Sequence, residues 1–199
     1  MSKVAIQGNA SGTGTFTIAA PNSNTDRTLT LPDEAGTVVT TASDISSLTG
    51  MATNSPYFFV RRSSVQSLTS NVTADVVFNT EELDPDNVYN SSTGIFTAPS
   101  AGIYFLSANV LLDSQGQSKS WNGYVLVADS SNVPIAATSF NYDANFPRDT
   151  SHYVSAIVSA SSGSQYKIRA LLETTGGGVP QISAGISSDG TFFSGFKLA

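Results

Sequence analysis

The chain has 199 residues, enough for one domain of ordinary size and a smaller appendage. Hydrophobic residues make up 40% of it and charged residues only 12%, against about 25% charged residues in a typical soluble protein. The chain is therefore predicted to fold, with Ser, Thr, Asn and Gly as its polar surface. A net charge of −6 and scattered basic residues argue against a nucleic-acid or anionic-membrane surface, since phosphate contacts need clustered Lys and Arg.

Cysteine is absent, so disulfides and thiolate metal sites are ruled out. The N-terminal sequence lacks the apolar core of a secretory signal, and no apolar run is long enough to span a bilayer. We expect a protein that is made in a cytoplasm and does not insert into a membrane.

Residues 1–50 contain no Tyr or Trp and a single Phe, and they are predicted to form a β-rich arm. Residues 15–18 and 28–31 alternate polar and apolar side chains as short half-buried strands do, and residues 37–40 are expected to return after a turn at 32–36. The arm is too small to bury a core of its own, so it should pack against a partner. The apolar residues expected to make this attachment are Phe16, Ile18, Leu29, Leu31 and Val38.

Two interpretations remain open for the end of the arm. Ser43 could cap one helical turn that places Ile45 and Leu48 on one side and stops at Gly50, or the segment could be a polar linker. Residues 51–56 are predicted to link the arm to the rest of the chain.

From residue 57 to residue 199 the pattern is all-β. Short runs rich in β-branched and aromatic residues recur every 8–12 residues or so, with turn residues between them, as in a sandwich or barrel. The predicted strands are Tyr57–Gln66, Asp75–Asn79, Thr93–Thr97, Gly102–Leu112, Trp121–Ala128, Val133–Phe140, Ser151–Ala160, Gln165–Glu173 and Phe192–Leu198.

Two motifs in this part of the chain resemble a known family. After Tyr89, residues 93–99 read Thr-Gly-Ile-Phe-Thr-Ala-Pro, and residues 102–106 read Gly-Ile-Tyr-Phe-Leu. This order is similar to that of the jelly-roll domain shared by the globular head of the complement first component q subunit and the tumour necrosis factor superfamily. Leu106 departs from the second aromatic position of that signature, and residues 192–198 resemble the family's terminal strand.

This resemblance implies an all-β jelly-roll sandwich of about ten strands in two five-stranded sheets, assembled as a trimer around the inner sheets. Residues 27–37, in the arm, resemble stem or attachment segments in fibre and structural proteins of tailed phages. Together the two resemblances favour a virion protein of a tailed phage.

The alternation of side chains offers an independent test of the trimer. Residues 166–173, assigned to the outer sheet, alternate between apolar and polar with only Leu171 out of pattern, whereas strands assigned to the inner sheet are apolar on both faces. A monomer would leave this second apolar surface exposed, unless the arm covers it. The predicted trimer interface consists of Tyr57, Phe59, Ile103, Phe105, Tyr153, Ile157 and Phe193.

If the last strand ends at the base of the domain, three connections lie at the opposite end: residues 113–120, 141–150 and 174–191. Aromatic side chains stack on sugars and anchor protein interfaces, so this end is the candidate receptor-binding end; the alternative is that the aromatics only plug the barrel. The candidate residues are Gln115, Lys119, Trp121, Tyr142, Asp143, Asn145, Phe146, Arg148 and Gln181.

Catalytic motifs are weak, and no cofactor is predicted. Residues 81–86 form the one acidic cluster and are expected to be a solvated loop, although a calcium site at Asp84 and Asp86 is also conceivable. His152 is the single histidine, and no nucleophile-elbow motif accompanies it, so we expect it to be structural or surface-exposed.

The sequence therefore predicts a non-enzymatic protein of the virion, assembled in the host cytoplasm. The leading hypothesis is a trimeric short tail fibre or spike tip that binds a host surface glycan or protein and is held by other tail or capsid proteins through residues 1–50. The alternatives are a capsid-decorating fibre or tail adaptor with a purely structural role and, less favoured, a polysaccharide depolymerase.

Overall fold

The computed structural model describes residues 11–15, 17, 22–26, 28, 55–115, 121–142, 149–175, 179–184 and 190–198. The chain divides into two compact units, residues 1–47 and residues 48–199. Of the first unit, the described residues are exposed and contain no strand.

The described part of the second unit is all-β and contains no helix. Its strands are β1 Tyr57–Arg61, β2 Gln66–Ser67, β3 Ala74–Asp75, β4 Thr80–Leu83, β5 Tyr89–Asn90, β6 Ile95–Thr97, β7 Gly102–Asp113, β8 Trp121–Asp129, β9 Pro134–Tyr142, β10 Asp149–Ala160, β11 Gln165–Thr174, β12 Gln181–Ser183 and β13 Phe192–Lys197.

These strands form two antiparallel sheets. The seven-stranded sheet has the order β2-β12-β7-β13-β1-β4, with β10 paired to the other side of β7, and the six-stranded sheet has the order β5-β6-β11-β8-β9, with β3 paired to β11. This arrangement confirms the predicted jelly-roll sandwich, and the strands assigned to the inner and outer sheets are in separate sheets as expected. The sheets hold seven and six strands rather than five each because several short segments extend their edges.

The sequence prediction missed three short strands, of which β5 only extends the hairpin that contains β6. The sequence predicts a solvated acidic loop at residues 81–86, but residues 80–83 form β4 at an edge of the seven-stranded sheet, where the charged side chains of Glu81 and Glu82 are suited to block further pairing. Residues 181–183, taken as part of a long loop, form β12 beside the end of β7, with Ile182 fully buried.

The core lies between the two sheets and is centred on aromatic side chains. The ring of Phe58 lies 4.9 Å from the rings of both Phe96 and Phe193, and the ring of Tyr104 lies 5.6 Å from that of Phe96. The buried Tyr104 hydroxyl donates a hydrogen bond of 2.8 Å to the carbonyl of Ser100, so the polar end of this large side chain keeps a partner.

Phe193 was predicted to lie at the outward face of the last strand, and this was wrong. Its exposed fraction is 0%, because the register pairs it with the buried Val60 of β1 and turns its ring into the core. Phe192 points outward instead, and its ring contacts that of Phe59 at 5.5 Å. The two aromatics do face opposite ways, but the prediction assigned the wrong one to the surface.

The Thr-Gly-Ile-Phe-Thr-Ala-Pro motif builds the hairpin between β5 and β6. The Asn90 side chain accepts hydrogen bonds from the backbone amides of Ser92 and Thr93, and Gly94 follows in a left-handed conformation with φ of 79°. A side chain at Gly94 would put its Cβ 2.6 Å from the carbonyl oxygen of Val76. The motif is thus needed both for a backbone conformation and for close packing against a neighbouring segment.

Gly94→Ala is expected to destabilise the domain by about 3 kcal/mol, since it adds a clash with fixed backbone to the cost of a left-handed residue. Gly163→Ala is the matched control: Gly163 has φ of 84°, but nothing lies within 4 Å of a Cβ added there. The control should cost only about 1 kcal/mol. Urea unfolding of both variants measures the difference, and equal losses would contradict the role of close packing at Gly94.

Candidate functional site

The outward face of the seven-stranded sheet carries an apolar row. The register places Ile157, Phe105, Phe196 and Tyr57 side by side on β10, β7, β13 and β1. Ile157 is 66% exposed and Tyr57 44% exposed, while the Phe105 and Phe196 rings lie half-buried and 5.5 Å apart. Four neighbouring strands therefore present one continuous hydrophobic strip to solvent.

A second group of large side chains lies further along the same face. Phe59 contacts Phe192, and the guanidinium carbon of Arg61 lies 4.9 Å from the centre of the Phe59 ring. Tyr153 on β10 is 54% exposed. The register places Phe59 in one row with Ser194 and Ser107, whose hydroxyl oxygens lie 2.9 Å apart, so the row next to the apolar row is partly polar.

Six of the seven residues predicted for a trimer interface lie at this outward face and are half-buried or exposed. They are Tyr57, Phe59, Ile103, Phe105, Tyr153 and Ile157; Phe193 is the exception. Phe192 and Phe196 belong to the same face and were not predicted. Alternation along the last strand places these two residues on one face and Phe193 on the other, so the wrong assignment of Phe193 also excluded them.

The apolar surface continues around one edge of the sandwich. A groove of about 340 Å³ runs between Ile157 of β10 and Ile135 of β9, the edge strand of the other sheet, and Asp129, Ser159 and Tyr166 also line it. Ile135 is itself an exposed hydrophobic residue. The molecule therefore exposes hydrophobic side chains on one face and on the edge next to it.

The outward face of the six-stranded sheet is different in character. The carboxylate of Asp75, on β3, accepts one hydrogen bond from Lys167 Nζ and, on its other oxygen, one from Arg169 Nε, each of 2.7 Å. Burial raises the pKa of Asp75, but the two cationic donors outweigh it and hold that pKa below its usual value. This sheet therefore covers its surface with paired charges.

The predicted receptor loops begin and end at one end of the sandwich, called the distal end below. Asp113 at the end of β7 is paired with Asp149 and Gln181, and Trp121 at the start of β8 is paired with Tyr142 and Thr174. At the opposite end, the base, the first strand begins beside the end of the last one.

Only part of the predicted receptor-binding set lies within the described residues. Gln115 is exposed, Gln181 is half-buried, and Trp121 begins β8 with its side chain outside the described part. The half-buried Tyr142 stacks on Phe140 at 5.4 Å, so its ring is used at least partly for packing. Lys119, Asp143, Asn145, Phe146 and Arg148 lie outside the described residues, as do the predicted attachment residues Phe16, Ile18, Leu29, Leu31 and Val38.

His152 faces the core near the distal end. Only 7% of it is exposed, its ring lies 4.0 Å from that of Phe140, and its Nε2 lies 2.6 Å from the Thr150 hydroxyl. Burial lowers the pKa of His152 to about 4. Of the two earlier interpretations, the structural one fits: the neutral imidazole acts as a packed ring.

The acidic segment after β4 uses its carboxylates on its own backbone. Asp84 accepts hydrogen bonds of 2.9 Å from the amides of Val88 and Tyr89, one on each oxygen. Asp86 accepts a hydrogen bond of 2.7 Å from the Ser55 hydroxyl. Among the described residues, no group of three or more His, Cys, Asp or Glu side chains is placed to hold a metal ion. The described part of the chain also contains no helix that is long and apolar enough to cross a membrane.

Comparison with known proteins identifies the family. The C1q domain profile matches residues 57–198, so the chain belongs to the C1q domain family. The globular domain of zebrafish complement 1qA protein is 19% identical, with 72% of this chain and 97% of that one covered and a TM-score of 0.44. Murine APRIL is 14% identical, with 71% and 98% covered and a TM-score of 0.46. None of the curated proteins compared matches the chain.

The buried His152 predicts a loss of stability in acid. The unfolded chain takes up a proton at this residue near pH 6.5, whereas the folded state does so only near pH 4. The stabilisation from the neutral ring is therefore complete above pH 6.5 and falls by up to about 3 kcal/mol as the pH drops towards 4. Urea unfolding at a series of pH values measures this slope.

His152→Phe is the control, because it keeps a ring against Phe140 but removes the titrating group. The carboxylates titrate in both proteins, so the difference between the two pH profiles isolates His152. Parallel profiles between pH 6.5 and 4 would contradict the prediction.

Proposed function

We propose that the protein is a non-enzymatic virion protein of a tailed phage, a trimeric short tail fibre or spike tip that binds a host surface receptor through its distal end. The observation that carries this proposal is the joining of a C1q domain at residues 57–198 to an N-terminal segment whose residues 27–37 resemble phage stem and attachment segments. The first 50 residues would hold the protein to other tail or capsid proteins, and the domain would display the distal end.

The two exposed hydrophobic surfaces support a ring of three copies rather than a twofold dimer. A twofold interface uses the same patch on both subunits, whereas a closed ring joins two different patches, one from each neighbour. Here the apolar row lies on a face and the Ile135–Ile157 groove lies on the adjoining edge. Packing the edge of one copy against the face of the next would cover both at once.

Phe105→Glu is expected to convert the trimer into a monomer, because it places a charge in the middle of the apolar row. Leu171→Glu is the matched control, because Leu171, like Phe105, is a half-buried apolar residue on an outward face, but it belongs to the six-stranded sheet with its paired charges. Analytical ultracentrifugation should give three times the 20.7 kDa chain mass for the unchanged protein and the control, and one chain mass for Phe105→Glu. A monomeric unchanged protein at micromolar concentration would refute the trimer.

The position of the receptor-binding end is tested by shortening one loop. Replacing residues 141–148 with a short turn should abolish adsorption to the host while the protein remains trimeric, because the loop belongs to the distal end and not to the apolar row. The added purified protein should also compete with phage particles for host cells, and the shortened variant should not. Adsorption that survives the replacement would argue against this loop as the receptor contact.

Labelled virions separate the leading proposal from its structural alternatives. Immunogold electron microscopy should place the protein at the tail tip; label on the capsid would instead favour a decorating fibre, and label within the tail would favour an adaptor. A reducing-sugar assay on host polysaccharide should stay negative, and release of sugar ends would overturn the non-enzymatic assignment.

A further inference from the structure

We propose that Gln115 and Gln181, held in place by the buried carboxylate of Asp113, form a hydrogen-bonding seat for a neutral, hydroxyl-rich glycan at the distal end. Asp113 would be the positioning residue and the two glutamines the contact residues. This inference rests on the proposed receptor-binding function and names the ligand class for it.

Asp113 is an unusual residue for the end of a strand because only 2% of it is exposed. A carboxylate removed from water is costly unless donors replace its hydration. Its Oδ1 accepts a hydrogen bond of 2.7 Å from the backbone amide of Gln115, and its Oδ2 accepts one of 2.7 Å from Nε2 of Gln181. Nε2 of Gln115 donates to the same Oδ2. One buried carboxylate therefore fixes two glutamine side chains that come from different parts of the chain.

The chemistry of the contact sets the orientation of both amides. An ionised carboxylate only accepts hydrogen bonds, so each glutamine must turn its NH₂ group inward and its Oε1 away. No residue in the described part of the chain donates to either Oε1. The pair therefore offers two oriented acceptors, and each amide keeps one further N–H as a donor.

The backbone at Gln115 indicates that the side chain matters there. Gln115 adopts a left-handed conformation, with φ of 57°, which costs a residue with a Cβ about 1 kcal/mol and which Gly adopts freely. A turn that served only to leave β7 would be better made by Gly. Gln115 occupies the turn despite this cost, and both its backbone amide and its side-chain Nε2 donate hydrogen bonds to Asp113.

Two outward acceptors favour a ligand that can donate. Sugar hydroxyls both donate and accept, so neighbouring hydroxyls match an array of carbonyl oxygens with adjacent N–H groups. Carboxylate, sulfate and phosphate groups cannot donate when ionised, and the strand register places Asp149 opposite Asp113, so this end carries two acidic residues. The seat is therefore suited to neutral hexoses and N-acetylhexosamines rather than to acidic sugars.

The test is binding of the trimeric protein to an immobilised panel of neutral oligosaccharides and of oligosaccharides bearing uronic acid, sialic acid or phosphate. The unchanged protein should bind neutral members. Gln115→Gly and Gln181→Ala should each weaken binding about tenfold, the loss expected for a hydrogen-bonding side chain. Gly relieves the left-handed strain but removes one donor from the buried Asp113, so the two effects on the melting temperature oppose each other. Binding is therefore measured well below the melting temperature of each variant, where a loss of stability does not reduce the folded fraction.

Gln165→Ala is the matched control, since Gln165 is an exposed glutamine at the base end of β11. Its glycan binding should be unchanged. Asp113→Asn should weaken glycan binding as much as the double variant Gln115→Gly with Gln181→Ala. Because Asp113 acts through the two glutamines, adding Asp113→Asn to the double variant should weaken binding no further.

The outcomes separate this inference from the proposed function. Loss of adsorption on shortening residues 141–148, combined with unchanged glycan binding in the double glutamine variant, would overturn the seat and leave the receptor-binding proposal standing. A preference for acidic glycans, or no binding to any glycan on the panel, would overturn the ligand class. Failure of the purified protein to bind host cells at all would overturn both.

Discussion

The strand β7 carries apolar side chains on both of its faces, and the rest of the domain is arranged around it. It spans Gly102–Asp113, pairs along its whole length with β10 and is bordered on the other side by β13 and then β12. Its inward side chains, from Tyr104 to Leu112, are fully buried by the opposite sheet. Its outward side chains include Ile103, Phe105 and Leu111, which the described part of the chain leaves half-exposed. The fold thus buries one face of the strand and leaves apolar side chains of the other face half-exposed.

That two-sided character could be predicted from the sequence, because alternation in an extended strand assigns every second side chain to one face. The prediction held for β7, β10 and β11, because in strands of this length many residues together show which alternate side chains face the core. It went wrong at Phe193, where two adjacent aromatics gave no indication of which one enters the core. Only the pairing with Val60, which lies far away in the sequence, decides that phase.

Short and polar elements could not be predicted for a related reason. Two to four residues do not establish a period, so β4 and β12 had no pattern to recognise. The Glu81-Glu82 pair suggested a solvated loop, although charge is also typical of an edge strand. Among candidate site residues, Gln115 and Gln181 were predicted from their position in two of the three connections expected at the distal end and from their amide groups. Asp113 was missed as their organiser because a carboxylate next to a turn resembles any solvent-exposed loop residue until its burial is known.

The outward face of the seven-stranded sheet changes in character from base to distal end, and this gradient links assembly to recognition. Near the base, the Tyr57–Phe196–Phe105–Ile157 row is hydrophobic and suited to bind another copy. Near the distal end, the same face finishes with Asp113 and Gln181, which are polar and form hydrogen bonds. In the proposed trimer, three copies of the glutamine seat would therefore surround one axis at the distal end. Three weak seats on a rigid frame bind a repeating glycan surface far more tightly than one, because each bound seat raises the effective concentration of the next. A seat of only two amides is then sufficient, provided that the hydrophobic row holds the three copies together.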